Sequence, residues 1–345
     1  MSKQEPPAGS PSQSASVSSV LLIKPGSLGD IVHALPVASA LHAAWPEAKL
    51  TWVIDPRWQP ILDGNPAIDE IVPFPREEFR GWKNLPRAIA WYGSQRHRRP
   101  DVAIDLQGLL RSALVARCSC SRRTIGLSDA REGSVGFYHK YAKVTATQHA
   151  VDRYLAVLRV LDIPRPARLD FPLPAGDPVA QPLPEGYLLL HPFARGAGKS
   201  LDAEAIRGLC ERLWPTPVVL AGVGDSPAEL PGNVIDLTRK TTLSQLIGLI
   251  RHARKVISVD SGPMHIAAAV RVPLLSIHTW SDPRRVGPYS SSAMIWQGGE
   301  LRTQSLSTPL LPEKPLTPRD LDAIAAWALA QDPARPDATR GHADI

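Results

Sequence analysis

Seven prolines crowd the stretch between Ile163 and Glu185, at Pro164, Pro166, Pro172, Pro174, Pro178, Pro182 and Pro184, and this interruption constrains the fold more than any other feature of the chain. Proline has no amide hydrogen to give to a helix or a sheet ladder, so such a stretch runs as an irregular connector. On either side the sequence shows regular apolar patterning, and 345 residues exceed what one hydrophobic core usually supports. The expected organisation is a first domain over 19–165, a proline-rich linker over 166–185 and a second domain over 186–333, with a disordered tail at 1–18 and a mobile tail at 334–345.

The two halves repeat one pattern. Val17 to Lys24 is a short apolar run stopped by Pro25 and Gly26, and a helical periodicity follows from Ile31 to Trp45. Further apolar runs at Leu50–Ile54 and Val102–Leu106 alternate with helical segments. After the linker the pattern restarts, with strands expected at Tyr187–His191, Pro217–Ala221, Lys255–Val259 and Pro273–Ile277, and helices at Ala203–Leu213, Leu243–His252 and Met264–Val270. Alternation of this kind predicts an α/β fold, each half a parallel sheet with helices on its faces.

Composition narrows the class. At 43% hydrophobic and 21% charged the chain reads as globular, and no apolar run reaches the ~18 residues of a membrane-spanning helix. Met1 to Ser19 is rich in Ser, Pro and Gln and lacks the apolar stretch of a secretory signal. Cys118, Cys120 and Cys210 are odd in number and wrongly spaced for a zinc site, so reduced thiols are expected. A net charge of +6 suits an acidic substrate, an anionic membrane or a nucleic acid without choosing among them, but none of the usual nucleic-acid recognition modules is present.

In open parallel sheets, ligands bind beyond the carboxyl ends of the strands. Three such junctions carry suitable chemistry. In Lys24–Asp30, KPGSLGD, two glycines permit a tight turn and Asp30 opens a helix; as an isolated motif this reads first as a helix N-cap, the carboxylate accepting backbone amide bonds. It matches neither the dinucleotide nor the triphosphate glycine loop. In Val259–Ala269, VDSGPMHIAAA, a strand ends in Asp260, and Ser261, Gly262 and Pro263 begin a helix whose free amides suit a pyrophosphate; a capped helix with no ligand is the plainer alternative, with His265 a core histidine. In His191–Ser200, Arg195 and Lys199 sit on a glycine loop, where cations suit a diphosphate or are simply solvated.

Taken together, KPGSLGDIVHALP, DLQGLLRSALVAR (Asp105 to Arg117), DAREG (Asp129 to Gly133), QHAVDRYL (Gln148 to Leu155) and SVDSGPMHIAAA resemble glycosyltransferase family 9, and within it the heptosyltransferases that act on Kdo, over Val20 to about Tyr289. The resemblance implies a GT-B fold, two Rossmann-like domains with parallel sheets facing a central cleft. It implies an inverting, metal-independent transfer without a cofactor. ADP-heptose would be the donor, and the acceptor a Kdo-lipid A type molecule of the lipopolysaccharide core at the cytoplasmic face of the inner membrane. Carried over by motif, Asp30 is the catalytic base. Lys199, Arg195, Asp260, Ser261, Gly262, His265 and Asp225 hold the donor, and Ser27, Gly29, Gln107, Arg111 and Arg131 meet the acceptor, with the basic stretch near Arg98 as a further candidate. Two departures stand out. The loop lysine of such chains is followed closely by tryptophan, whereas Lys199 is followed by Ser200 and Leu201, and the acid after the strand ending at Ala221 is either Asp225 or Glu229. The competing readings are a transferase of the same fold with another nucleotide-sugar or a heptose-bearing acceptor, and a non-catalytic nucleotide-sugar binder.

Overall fold

The computed structural model describes residues 17–196, 198–305 and 309–331. Residues 1–16 of the expected first tail and all of the tail expected at 334–345 lie outside them. Val17 and Ser18 are packed: Ser18 donates through both its amide and its hydroxyl to Asp101, and Val17 lies against the core.

The front half runs β1 (Ser19–Ile23), α1 (Leu28–Ala44), β2 (Lys49–Ile54), β3 (Glu70–Pro73), α2 (Leu85–Ser94), β4 (Val102–Asp105), α3 (Leu110–Cys118), β5 (Arg123–Leu127), β6 (Lys140–Ala142) and α4 (Ala150–Val160). Its strands form one parallel sheet in the order β3-β2-β1-β4-β5-β6, with Val20 in register with Leu50 on one side and Val102 on the other. The order reverses between β1 and β4, and in open parallel sheets the crevice at the carboxyl ends of such a reversal is the usual place for a ligand. The loops that leave there are Lys24–Asp30 and Leu106–Leu109.

The rear half runs β7 (Leu188–His191), α5 (Ala203–Arg212), β8 (Val218–Gly222), β9 (Val234–Thr238), α6 (Leu243–His252), β10 (Lys255–Val259), α7 (Gly262–Ala269), β11 (Leu274–His278), α8 (Pro283–Val286), β12 (Met294–Gln297), β13 (Glu300–Thr303) and α9 (Pro318–Leu329). The sheet order is β13-β12-β11-β10-β7-β8-β9, reversing between β7 and β10. Both rear loops singled out from the sequence leave from this second crevice. The sheet is parallel except at one edge, where β12 and β13 form an antiparallel hairpin. Gly298 and Gly299, at φ 62 and 87, make its two-residue turn, which needs positive φ at both positions.

The sheets are not independent. Helices α1 and α4 cover one face of the front sheet, α6 and α7 one face of the rear sheet, and a single buried cluster runs through both, from Val20 and Leu35 to Ile247 and Ile266. Helix α1 is therefore buried nearly all round, which explains its run of Ile31, Val32, Ala34, Leu35, Val37 and Ala38 without a polar stripe. The outer faces have their own cores, under α2 and α3 in front and under α5 and α9 behind. No regular element occurs between α4 and β7. The proline-rich segment lies along α6, with Arg251 donating to the carbonyls of Leu173 and Pro174. Among the described residues no helix is long and apolar enough to cross a membrane, and the three cysteines are free.

Candidate active site

Ser27 is the N-cap of α1 and Asp30 its third residue, so Asp30 takes part in the cap without being the N-cap itself. The amide and hydroxyl of Ser27 donate to Asp30 Oδ2 at 3.0 and 2.9 Å. The other carboxylate oxygen accepts from the Tyr154 hydroxyl at 2.7 Å, and the Lys24 ammonium lies 3.8 Å from it. Lys24 is buried at the end of β1, over the Tyr154 ring, and donates to the Leu106 carbonyl. The Asp30 side chain keeps 36% of its surface open.

This environment sets charge. Burial pushes the Asp30 carboxyl up, but the Lys24 charge, the Tyr154 hydroxyl and the two Ser27 donors outweigh it and hold Asp30 below the usual carboxylate range. Burial lowers Lys24, with Asp30 and Asp105 opposing. Asp30 is thus a persistent anion with an exposed edge.

The opposite wall is the N-terminus of α7. Ser261 caps it, Pro263 stands in its first turn, and the Ser261 hydroxyl lies 3.3 Å from His191 Nδ1. Asp260 is buried beside it, which raises its carboxyl to about 6. His265 lies 3.9 Å from Asp260 and stands edge-on to His33 of α1. Two glycines let the helix termini meet: a Cβ on Gly29 would come within 2.5 Å of the His265 ring, and one on Gly262 within 2.5 Å of Leu28. The carboxylate of the front half and the free amides of the rear half therefore face one gap.

The remaining expected donor residues are dispersed around it. Lys199 lies 3.5 Å over the Trp280 ring, so the tryptophan beside this lysine comes from the loop after β11 and not from the lysine's own loop. Arg195 crosses to stack on Trp58 of the front half at 5.0 Å. Asp225 is fully exposed on the loop after β8 and pairs with Arg239. On the acceptor side, Gln107 accepts from the Gly26 amide at 3.3 Å, joining the loops after β1 and β4. Arg111 and Arg131 lie near each other at the foot of α3, where the Arg131 amide donates to the Gly108 carbonyl. Arg98 is held by Gln95 and by Glu70, the first residue of edge strand β3, at the opposite end of the strands from the loop that carries Asp30.

Sequence reasoning assigned no role to Lys24, Tyr154, Trp58, Trp280 or Asp105. Asp105 is wholly buried and anchors the β4–α3 loop by accepting from Ser112, Tyr138 and the amides of Gln107 and Gly108. Lys24 and Tyr154 lay within KPGSLGD and QHAVDRYL, so the motifs held a signal. A cavity of about 960 Å³, lined in part by His42, Arg168, Arg271 and Tyr289, opens at the other end of α1, about 18 Å from Asp30 along the helix axis.

The model of glycosyltransferase family 9 (heptosyltransferase) matches residues 94–310. The chain is 29% identical to lipopolysaccharide heptosyltransferase 1 of Pseudomonas aeruginosa over 290 residues, covering 79% of this chain and 82% of that one. It is 24% identical to the Escherichia coli K12 protein of the same name, covering 86% and 98%. Among solved structures it resembles E. coli heptosyltransferase WaaC with ADP (TM-score 0.72, 24% identity, 90% of this chain and 99% of that one). It also resembles E. coli ADP-heptose lps heptosyltransferase II (TM-score 0.68, 22% identity, 90% and 98%). The fold is GT-B.

Proposed function

The chain belongs to glycosyltransferase family 9, and from that premise we propose that it moves a heptose from ADP-L-glycero-β-D-manno-heptose to a Kdo residue of the lipopolysaccharide inner core, with inversion and without a metal. The observation that carries this reading is the placement of an ionised carboxylate, Asp30, beside the close glycine contact that joins the start of α1 to the amide-rich start of α7.

In this reading the acceptor hydroxyl attacks the anomeric carbon of the heptose. The new carbon–oxygen bond forms, the bond to the diphosphate breaks, and the hydroxyl proton passes to Asp30. Such base assistance typically contributes about 10²- to 10⁴-fold. The negative charge that grows on the departing ADP is met by the amides at Ser261 and Gly262 and by the Lys199 ammonium, preorganised groups that contribute strongly where water is excluded. Lys24, Tyr154 and Ser27 keep Asp30 ionised, hence ready to accept a proton. Ser27, Gly29 and Gln107 line the acceptor approach, and Arg111 and Arg131 suit the Kdo carboxylates. His265 and Asp260 support the α7 terminus, Arg195 joins the two halves through Trp58, and Asp225, paired with Arg239 on the loop after β8, is the acid assigned to the nucleotide. The enzyme would act at the cytoplasmic face of the inner membrane, where the lipid-anchored acceptor lies.

Incubation with ADP-heptose and a Kdo-bearing acceptor, followed by mass analysis, tests the proposal: product heavier by one heptose is expected, and its absence with an active partner preparation rejects it. Thermal shifts with ADP, UDP and GDP discriminate the donor nucleotide, because a ligand of the native state raises its stability by mass action.

A further inference from the structure

One face of the front domain is uncovered and apolar. Helix α2 turns Trp91 and Tyr92 inward, edge-on to Phe74 at 5.1 and 6.3 Å. Leu85 and Ile89, four residues apart and so neighbours along the helix, stay exposed on its flank, and Trp82, in the turn just before the helix, is exposed close by. Trp82, Leu85 and Ile89 are 81%, 57% and 63% exposed. Single surface hydrophobics are ordinary, but three large ones within one turn-and-helix segment form a patch that calls for a partner.

The charge around them says which. Between Arg76 and Arg99 stand seven arginines and lysines against two glutamates, so this segment holds most of the net +6 of the whole chain. Glu77 is neutralised by Arg80 and Arg57, whereas Lys83, Arg87 and Arg96 have no carboxylate partner among the described residues. A second copy of the chain is disfavoured, since a two-fold contact would set these cations against themselves. A bilayer with anionic headgroups complements both parts: tryptophan and aliphatic side chains enter the headgroup boundary while lysine and arginine pair with phosphates.

We propose that Trp82, Leu85 and Ile89, flanked by Lys83, Arg87 and Arg96, dock the front domain on an anionic lipid bilayer. The Trp82 and Leu85 end of the patch lies toward the rim that carries the site. Glu77 is 3.8 Å from Arg57, which holds Asp55 at the end of β2, and the Tyr92 hydroxyl donates to the carbonyl of Arg111. Docking there would bring the acceptor side of the gap to the membrane; that consequence rests on the transfer reading above, whereas lipid affinity itself does not.

The full chain is floated with phosphatidylcholine vesicles with and without phosphatidylglycerol. Binding is expected only to the anionic vesicles and is lost at high salt. A Trp82→Ser/Ile89→Ser variant, with an unchanged melting temperature, binds about tenfold more weakly, as does Lys83→Gln/Arg87→Gln. Turnover of both variants on an acceptor stripped of its acyl chains stays at the wild-type level. Equal binding to both vesicle types, undiminished binding by the variants, or a wild-type dimer that the Trp82→Ser/Ile89→Ser variant abolishes overturns the proposal. If vesicle binding behaves as expected while no heptose is transferred, the docking surface stands and the transferase reading falls.

Discussion

The imidazoles of His33 in α1 and His265 in α7 meet across the two domains, with Nε2 of the first 2.9 Å from Nδ1 of the second. His149, the N-cap of α4, stands edge-on to His33 and bonds through Nε2 to the Gly287 carbonyl of the rear half at 3.0 Å. Three histidines thus join the halves, and all three are buried in their neutral form.

Stability is expected to fall as the solution is acidified below about pH 6.5. Burial lowers His265 and His278 to about 3 and His191 to about 4, and lowers His33 and His149 as well. The unfolded chain therefore binds protons that the native state refuses, and each of His265, His278 and His191 costs about 1.4 kcal/mol per pH unit over the window from about 6 to about 4. Asp260, raised to about 6, and Asp105, also raised, act in the opposite direction but are outnumbered. Urea midpoints measured at pH 7.5 and 5.5 check this; an unchanged midpoint contradicts it.

Gly29→Ala should damage the interdomain contact. The added methyl would lie 2.5 Å from the His265 ring, and that ring is tied to His33, so it has little room to yield. Overpacking of this kind costs about 1–3 kcal/mol. Lower melting temperature together with reduced turnover is the expected pair of results, and a variant with wild-type values of both would show that the gap is wider than described.

Asp30→Asn should lower kcat about 10²- to 10⁴-fold while donor binding persists, at a folding cost of about 1 kcal/mol from the weakened cap. Tyr154→Phe is the sharper probe. It removes a bond that favours the ionised carboxylate, so the Asp30 pKa rises and the acid limb of the kcat/KM profile moves to higher pH. A profile that stays in place would separate Tyr154 from the base.

Lys199→Ala should weaken the thermal shift produced by ADP and slow turnover about ten- to a hundredfold, because the ammonium held over Trp280 faces the departing diphosphate in the proposed reaction. Trp280→Ala should give part of the same loss, as the charge remains but its seat is gone. If neither variant changes ADP affinity, the phosphate site lies elsewhere on the rear half.

Much of the architecture was legible before any coordinates. The strands at Lys255–Val259 and the helix at Leu243–His252 occur where the periodicity places them, because apolar spacing and helix caps are local properties. Short strands were harder to read: β6, three residues at a sheet edge with two of them exposed, has almost no apolar alternation to detect. Asp30 could be singled out from its glycine loop and its motif, but Lys24 could not, since a lysine at a strand end looks the same in sequence whether solvated or buried.

By itself, then, the sequence determined two α/β halves parted by prolines, the strand-end loops at which chemistry could gather, and the family. Packing alone decided that Tyr154 and Lys24 surround Asp30, that Trp280 lies under Lys199, and that His33, His149 and His265 converge. Lys24 is six residues from Asp30, but the other partners lie scores to hundreds of residues apart along the chain. Their proximity is set by strand order, by helix crossing and by which side chains water is excluded from, and none of these is encoded in the local pattern around any one of them.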